Sequence, residues 1–302
     1  MGQWRGLGLA LLGLSAGLVV GCTTPEAVRS TTWLRGLPSF RGPTGPDTVQ
    51  LEWALLERPI GDRYLDQGLW DQVNEQVIAL ERKDILEDNG FRVAQIGGLL
   101  PDELQNMLTS ERNNASARRR QLRASDSVTI PLGPARAQCR FQLKEEERAE
   151  LVTLEQAQLA VVVTPTLTND SQTRLQFTPQ ITHGDTKLIF KPDVDGSRWA
   201  LQGHLPTETY ARQGWEVTLA TNEYVLIGGR FDHLQTLGNQ CFVRSDEPRP
   251  VQRLLVIRTG RYVPGVASEM VPDSTAEDCP SPRPTPLAMQ AAVGTIRSTS
   301  PP

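Results

Sequence analysis

The chain has 302 residues, with 31 basic and 35 acidic side chains, a formal net charge of −4 and 38% hydrophobic residues. That mild, balanced charge argues against a general nucleic-acid binder and against recruitment to acidic lipid by bulk charge. The apolar share can fill one large core or two ordinary ones, which excludes disorder throughout.

Residues 1–21, "MGQWRGLGLALLGLSAGLVVG", place Arg5 ahead of an apolar, small-residue run with no acid, the pattern of an export signal. The glycines weaken it as a spanning helix. The run ends in "VVGC", which resembles the lipobox of bacterial lipoproteins, with cleavage after Gly21 and acylation of Cys22. Acyl chains such as palmitate add about 0.8 kcal/mol per buried methylene, so the lipid bilayer is the first expected partner. Thr23 is not the aspartate that resembles an inner-membrane retention signal, so the expected location is the outer membrane, facing the periplasm. Residues 22–47, rich in Thr, Pro, Gly and Arg and without a sustained period, read as a flexible tether.

From Thr48 to Ser110 the order reads strand, helix, strand, helix. Val49, Leu51, Trp53 and Leu55 alternate with Gln50, Glu52 and Ala54, as in a half-buried strand. Trp70, Val73, Val77 and Leu80 recur at helical spacing, Leu86 extends the stripe, and Asn89-Gly90 terminates it. "FRVAQIGG" alternates again, and Pro101, Asp102 and Glu103 suit the first turn of a second helix. Residues 48–110 are therefore expected to form a small α/β module with helices on one face of its sheet.

Residues 111–126, with Arg118, Arg119, Arg120 and Arg123, read as a solvated Arg-rich linker, and Glu145–Glu150 as a charged surface turn. From 127 to 264 short strands dominate, separated by hairpin signals at Asn169-Asp170, His183-Gly184-Asp185 and Asp195-Gly196. Connections without helices imply mostly antiparallel pairing. Pro165 marks an edge or bend. The fold class expected is α+β, an α/β module followed by an antiparallel β domain, with residues 265–302 a Pro-rich disordered tail.

Within 155–260 the segments "LAVVVTPTLTNDSQTRLQFTPQI", "WEVTLATNEYVLIGG" and "VQRLLVIRTGRYV" carry two prolines, Pro165 and Pro179, and a glycine pair, Gly228 and Gly229. In this order the stretch resembles the membrane domain of the bacterial secretins, the ring-forming proteins of type II and type III secretion and pilus systems, with the prolines and the glycine pair matching theirs. The resemblance implies an architectural role for the glycines, which let strands or loops approach closely. The repeated Pro-x-Leu-Gly pattern of the inner gate is reduced to Leu237-Gly238, and no extended amphipathic lip is evident, so a complete pore is not expected.

Catalysis needs a nucleophile, base or metal in a defined arrangement. His183 and Asp185 flank a turn glycine, and Asp66, Asp71, Glu75 and Glu81 suit a solvated helix face. His183, His204 and His233 are dispersed and no Cys-x-x-Cys occurs, so neither metal nor cofactor is expected. Of the four cysteines, Cys139 and Cys241 are the expected disulfide pair in an oxidising compartment; Cys279 could pair with either or remain free. The expectation is a non-enzymatic, lipid-anchored envelope protein with a structural or assembly role, as a homo-oligomer or beside secretion-complex proteins, and without nucleic acid. A periplasmic ligand- or protein-binding module is the alternative, and a hydrolase the weaker one.

Overall fold

The structure, a computed structural model, describes residues 45, 47–145, 148–192, 199–245 and 249–261, and only the backbone of residues 191, 200, 202 and 261. The signal, Cys22, nearly all of the tether, Trp33, Asp195-Gly196, Cys279 and the tail lie outside the described residues.

In chain order the first strands are β1 (Thr48–Pro59), β2 (Phe91–Gly97), β3 (Asn114–Arg123), β4 (Val128–Pro131), β5 (Arg136–Glu145), β6 (Arg148–Leu167) and β7 (Thr173–Thr182). They are followed by β8 (Lys187–Pro192), β9 (Trp199–His204), β10 (Thr207–Thr209), β11 (Trp215–Leu219), β12 (Glu223–Gly229), β13 (Val243–Arg244) and β14 (Val251–Arg261). The α-helices are α1 (Leu80–Asp88), α2 (Asp102–Thr109) and α3 (Leu237–Phe242).

One sheet runs β2-β12-β14-β1-β3, with β13 added to β14; a second runs β10-β7-β6-β4, with β11 on β7 and β5 on β6; β8 and β9 form a pair of their own. Among the described residues every strand pair is antiparallel, as the helix-free connections from 127 onward imply for the second sheet. Among isolated bridges, Gln142 to Thr236 is parallel.

The alternation in β1 serves two cores. Leu51, Trp53 and Leu55 join Val225, Ile227, Leu255 and Ile257 against Val161, Val163, Leu175, Phe177 and Trp215 of the second sheet. Ala54 and Leu56, with Leu226, Leu254 and Val256, face Leu104, Met107 and Leu108 of α2 and the ring of Trp70. β1 is thus buried on both faces instead of half-buried, because β14 and β3 flank it and a layer covers each side. Each such aliphatic side chain contributes about 1.5–3 kcal/mol when fully buried.

Three expectations change. Residues 48–110 are not a sheet of their own, since β1 and β2 are interleaved with β12 and β14 from the far end of the chain. The long helix before Asn89 is instead a π-helical turn (Tyr64–Gly68), two 3-10 turns (Trp70–Gln72 and Glu75–Val77) and α1. Main-chain bonds between Asn74 and Gln95, 2.8 and 2.9 Å, pull that segment onto the edge of β2, and Leu80 is left 72% exposed. The Arg-rich stretch is no linker but contains the edge strand β3. Its inner row of hydrogen bonds comes from β1, so only Leu122 has to be apolar and buried.

The α2 start and the Asn89-Gly90 stop fall where the residues imply; of the charged turn expected at 145–150, Glu145 ends β5, residues 148–150 open β6, and 146–147 lie outside the described residues. Gly90 has φ +77°, a left-handed value open to glycine.

Candidate functional site

The glycine pair closes β12. A Cβ on Gly228 would lie 3.1 Å from Trp70 Cζ2; one on Gly229 would lie 2.6 Å from the Gly238 carbonyl oxygen and 2.9 Å from Phe242 Cβ. Both glycines thus sit at close approaches, with α3 and the Trp70 indole as the neighbours. A Cβ on Gly238 would overlap the Gly90 carbonyl in turn. Pro165 and Pro179 are buried within β6 and β7, where neighbouring strands lapse. The Pro165 carbonyl accepts from Ser125 N–H, before β4 begins, and the Pro179 carbonyl accepts from Tyr210 N–H, between β10 and β11. Their missing N–H groups thus fall on sides without a ladder partner.

Cys139 on β5 is fully buried and Cys241 is 2% exposed; both are thiols. Cys241 lies in α3, not in a strand. Burial first, and the nearby Cys139 second, push the Cys241 thiol well above its usual range. Cys139 Sγ is 3.7 Å from Gln240 Oε1, which also accepts from Arg136 Nη1 at 2.9 Å.

The candidate catalytic groups are not brought together. His183 Nε2 lies 3.5 Å from Glu208 Oε1, and Asp185 is exposed. Glu75 is held by Arg92 at 2.6 Å and Lys83 at 3.6 Å, while Asp71 and Glu81 are exposed. Beside Gly229 lies a cleft of about 490 Å³ lined by Arg63, Asp66, Asp71, Arg92, Arg230 and Asp232 around Trp70. Within it Arg92 stacks 4.3 Å over Trp70, and Arg230 bonds Asp232 at 3.2 Å, holding that carboxyl below its usual range. Desolvation raises the pKa of Asp66, and desolvation also pushes Tyr64 to about 12. Among the described residues no group of His, Cys, Asp and Glu could hold a metal ion.

The surface that stands apart is the β8–β9 hairpin. Residues directly opposite in an antiparallel pair share a face, and alternate residues continue it. The register sets Leu188 against Gly203, Phe190 against Leu201 and Pro192 against Trp199, so one face carries all six. Lys187 and His204 pair on the other face. Leu188 is 64%, Phe190 68%, Trp199 72% and Leu201 51% exposed, and neither strand joins either large sheet. Trp199 differs in this from Trp53, Trp70 and Trp215, which are core residues. The alternation of β8 was readable; that it faces outward was not, because an apolar stripe looks the same whether a core or a partner covers it. A hairpin was expected across Asp195-Gly196; its uncovered apolar face was not.

Among solved structures the chain is similar to the InvG secretin domain β-barrel of the Salmonella SPI-1 injectisome, at 11% identity and TM-score 0.23, over 75% of this chain and 66% of that one. It is similar to the secretin InvG of the same injectisome at 13% identity and TM-score 0.19, over 74% and 65%. A basal-body structure of InvG, PrgH and PrgK gives 13% identity and TM-score 0.19, over 74% and 46%. The chain thus spans just under two thirds of the first two neighbours' length and less than half of the third's. No family model matches the chain, and no curated protein matches it. So slight a superposition carries no functional argument, and the weight falls on the hairpin.

Proposed function

We propose that the protein is a lipid-anchored cell-envelope protein with a structural or assembly role, working in the setting of secretin-type secretion or pilus complexes and not forming a complete pore alone. Acylated Cys22 holds it at the outer membrane, the 22–47 tether sets its reach, and the apolar face of β8–β9 seats on a complementary surface. The observation that carries this reading is the exposure of Leu188, Phe190, Trp199 and Leu201 on one hairpin face. Burying what remains exposed of the four side chains is worth roughly 4–8 kcal/mol, on the scale of a whole domain's stability. A two-stranded hairpin is marginal in water by itself, so cover also orders it. Contiguous apolar surface of this kind marks protein or membrane contacts. The secretin setting is supported by the sequence resemblance at Pro165, Pro179, Gly228 and Gly229.

The test is to extract the mature protein from envelopes in mild detergent, wild type beside Phe190→Asp, and to measure particle mass and the amino-terminal peptide. An acylated Cys22 and a particle larger than a monomer are expected, with the variant folded but lost from the particle. An uncut, unacylated chain in the cytosol, or an unchanged particle in the variant, contradicts the proposal.

A further inference from the structure

A second surface is independent of the hairpin. Among the described residues β3 ends its sheet, with β1 on one side and no strand on the other. The opposite edge of the same sheet is capped by the bridge from Asn74 to Gln95, so β3 is the open one. The phase of its backbone follows from one bond: Ala124 N–H donates to the Asp47 carbonyl, on the β1 side. Stepping back by twos, residues 122, 120, 118 and 116 point their amide groups inward, and Ala117, Arg119, Gln121 and Arg123 turn theirs outward.

The side chains have a matching pattern. Arg119 is engaged inside the sheet, 2.8 Å from the nearly buried Glu52 carboxylate. Arg118, Arg120 and Arg123 are exposed and make no ion pair or side-chain hydrogen bond among the described residues. Arg118 and Arg120 share a face, about 7 Å apart, and no acid on β3 balances them.

We propose that the open edge of β3 is a docking strand for an extended acidic segment of another protein, which adds to the sheet through the outward amides and sets carboxylates at alternate positions against Arg118 and Arg120. Strand addition gives affinity through main-chain bonds, and the alternate side chains give specificity. A second copy of the same edge is disfavoured, because antiparallel β3–β3 pairing sets arginines close to arginines. Carboxylate is favoured over a membrane surface because the unpaired donors lie in a line with strand periodicity, which a fluid headgroup layer does not match.

Two probes test this on the full chain: a peptide alternating glutamate with valine and threonine, and the same composition with its glutamates contiguous. Vesicles of phosphatidylcholine with phosphatidylglycerol serve as the competing surface. The alternating peptide is expected to bind more tightly than the contiguous one. Arg118→Ser with Arg120→Ser is expected to weaken it about tenfold or more, the scale of charge-assisted pairs. Gln121→Pro removes one outward N–H without touching the inner ladder, so it is expected to weaken the peptide while leaving the unfolding midpoint near wild type. Equal binding of both peptides, binding indifferent to Gln121→Pro in a folded variant, or tighter retention on anionic vesicles than on the alternating peptide overturns the proposal.

Discussion

Gly238→Ala probes the packing that seats α3 beneath the end of β12. The added methyl would overlap the Gly90 carbonyl group and lie 2.6 Å from Phe91 N. These neighbours are main chain and cannot rotate away. Gly238 N–H donates to the Asn89 carbonyl at 2.8 Å, and the Gly90 carbonyl accepts from Arg230 N–H at 2.9 Å, so a shift that admits the methyl strains both bonds. Overpacking costs about 1–3 kcal/mol, and a weakened hydrogen bond about 1 kcal/mol. Reduced freedom of the unfolded chain returns about 0.4–1 kcal/mol. The net loss is about 2–4 kcal/mol, or roughly 5–15 °C in midpoint for a domain of about 200 residues. Gly184→Ala is the control: its φ is +69° and nothing lies within 4 Å of an added Cβ, so only the left-handed backbone cost of about 1–2 kcal/mol applies. Urea unfolding of the full chain, followed by tryptophan fluorescence and circular dichroism, measures both. A Gly238→Ala protein as stable as wild type, or losing no more than Gly184→Ala, refutes the reasoning.

Glu52 is 1% exposed between Arg119 at 2.8 Å and Arg258 at 3.6 Å, so Arg119→Ala, which strips the closer partner from a buried carboxylate, should cost about 2–3 kcal/mol in urea unfolding. No loss would show that Arg258 and Gln50, whose Nε2 donates to Glu52 Oε1 at 2.7 Å, suffice. Desolvation raises the Asp66 pKa in the folded state, so its ionisation opposes folding and the associated stability is lost as pH rises through the folded value. Asp66→Asn should therefore raise the midpoint at neutral pH, and the difference should close below the unfolded carboxylate pKa; a variant destabilised at neutral pH contradicts this. Cys241, with its thiol pushed up by burial, should resist alkylation in the native protein and react once denaturant opens the core, as mass spectrometry reads directly; rapid native labelling would place it at the surface.

Much of the strand content was legible because β1, β2, β7 and β12 carry alternating or continuous apolar text between turn residues. The sheet order was not, because β1 pairs with β14 from the other end of the chain and nothing local encodes that partner. β3 was hidden by its arginines: an edge strand needs a single buried anchor, here Leu122, when its neighbour supplies the ladder. The stripe at Trp70, Val73 and Val77 is split, Trp70 and Val73 packing into the core beside α2 and Val77 into the core between the sheets, because Asn74 bridges β2 and breaks the helix that spacing alone favours. The glycine pair closes β12 against Trp70 and α3, neighbours that become visible only in three dimensions. The hairpin face lay in plain text as Leu188, Phe190, Trp199 and Leu201, without any local sign that the protein's own core leaves it uncovered.

The most direct measurement is thiol accessibility on that hairpin in intact envelopes. Phe190→Cys and Lys187→Cys lie on opposite faces of the same strand, β8, and both positions are exposed in the isolated chain. A water-soluble maleimide is predicted to label position 187 and spare position 190 in envelopes, and to label both once the protein is separated from its surroundings. Equal, rapid labelling of the two in envelopes would mean that the apolar face stays bare where the protein works, and would contradict the account.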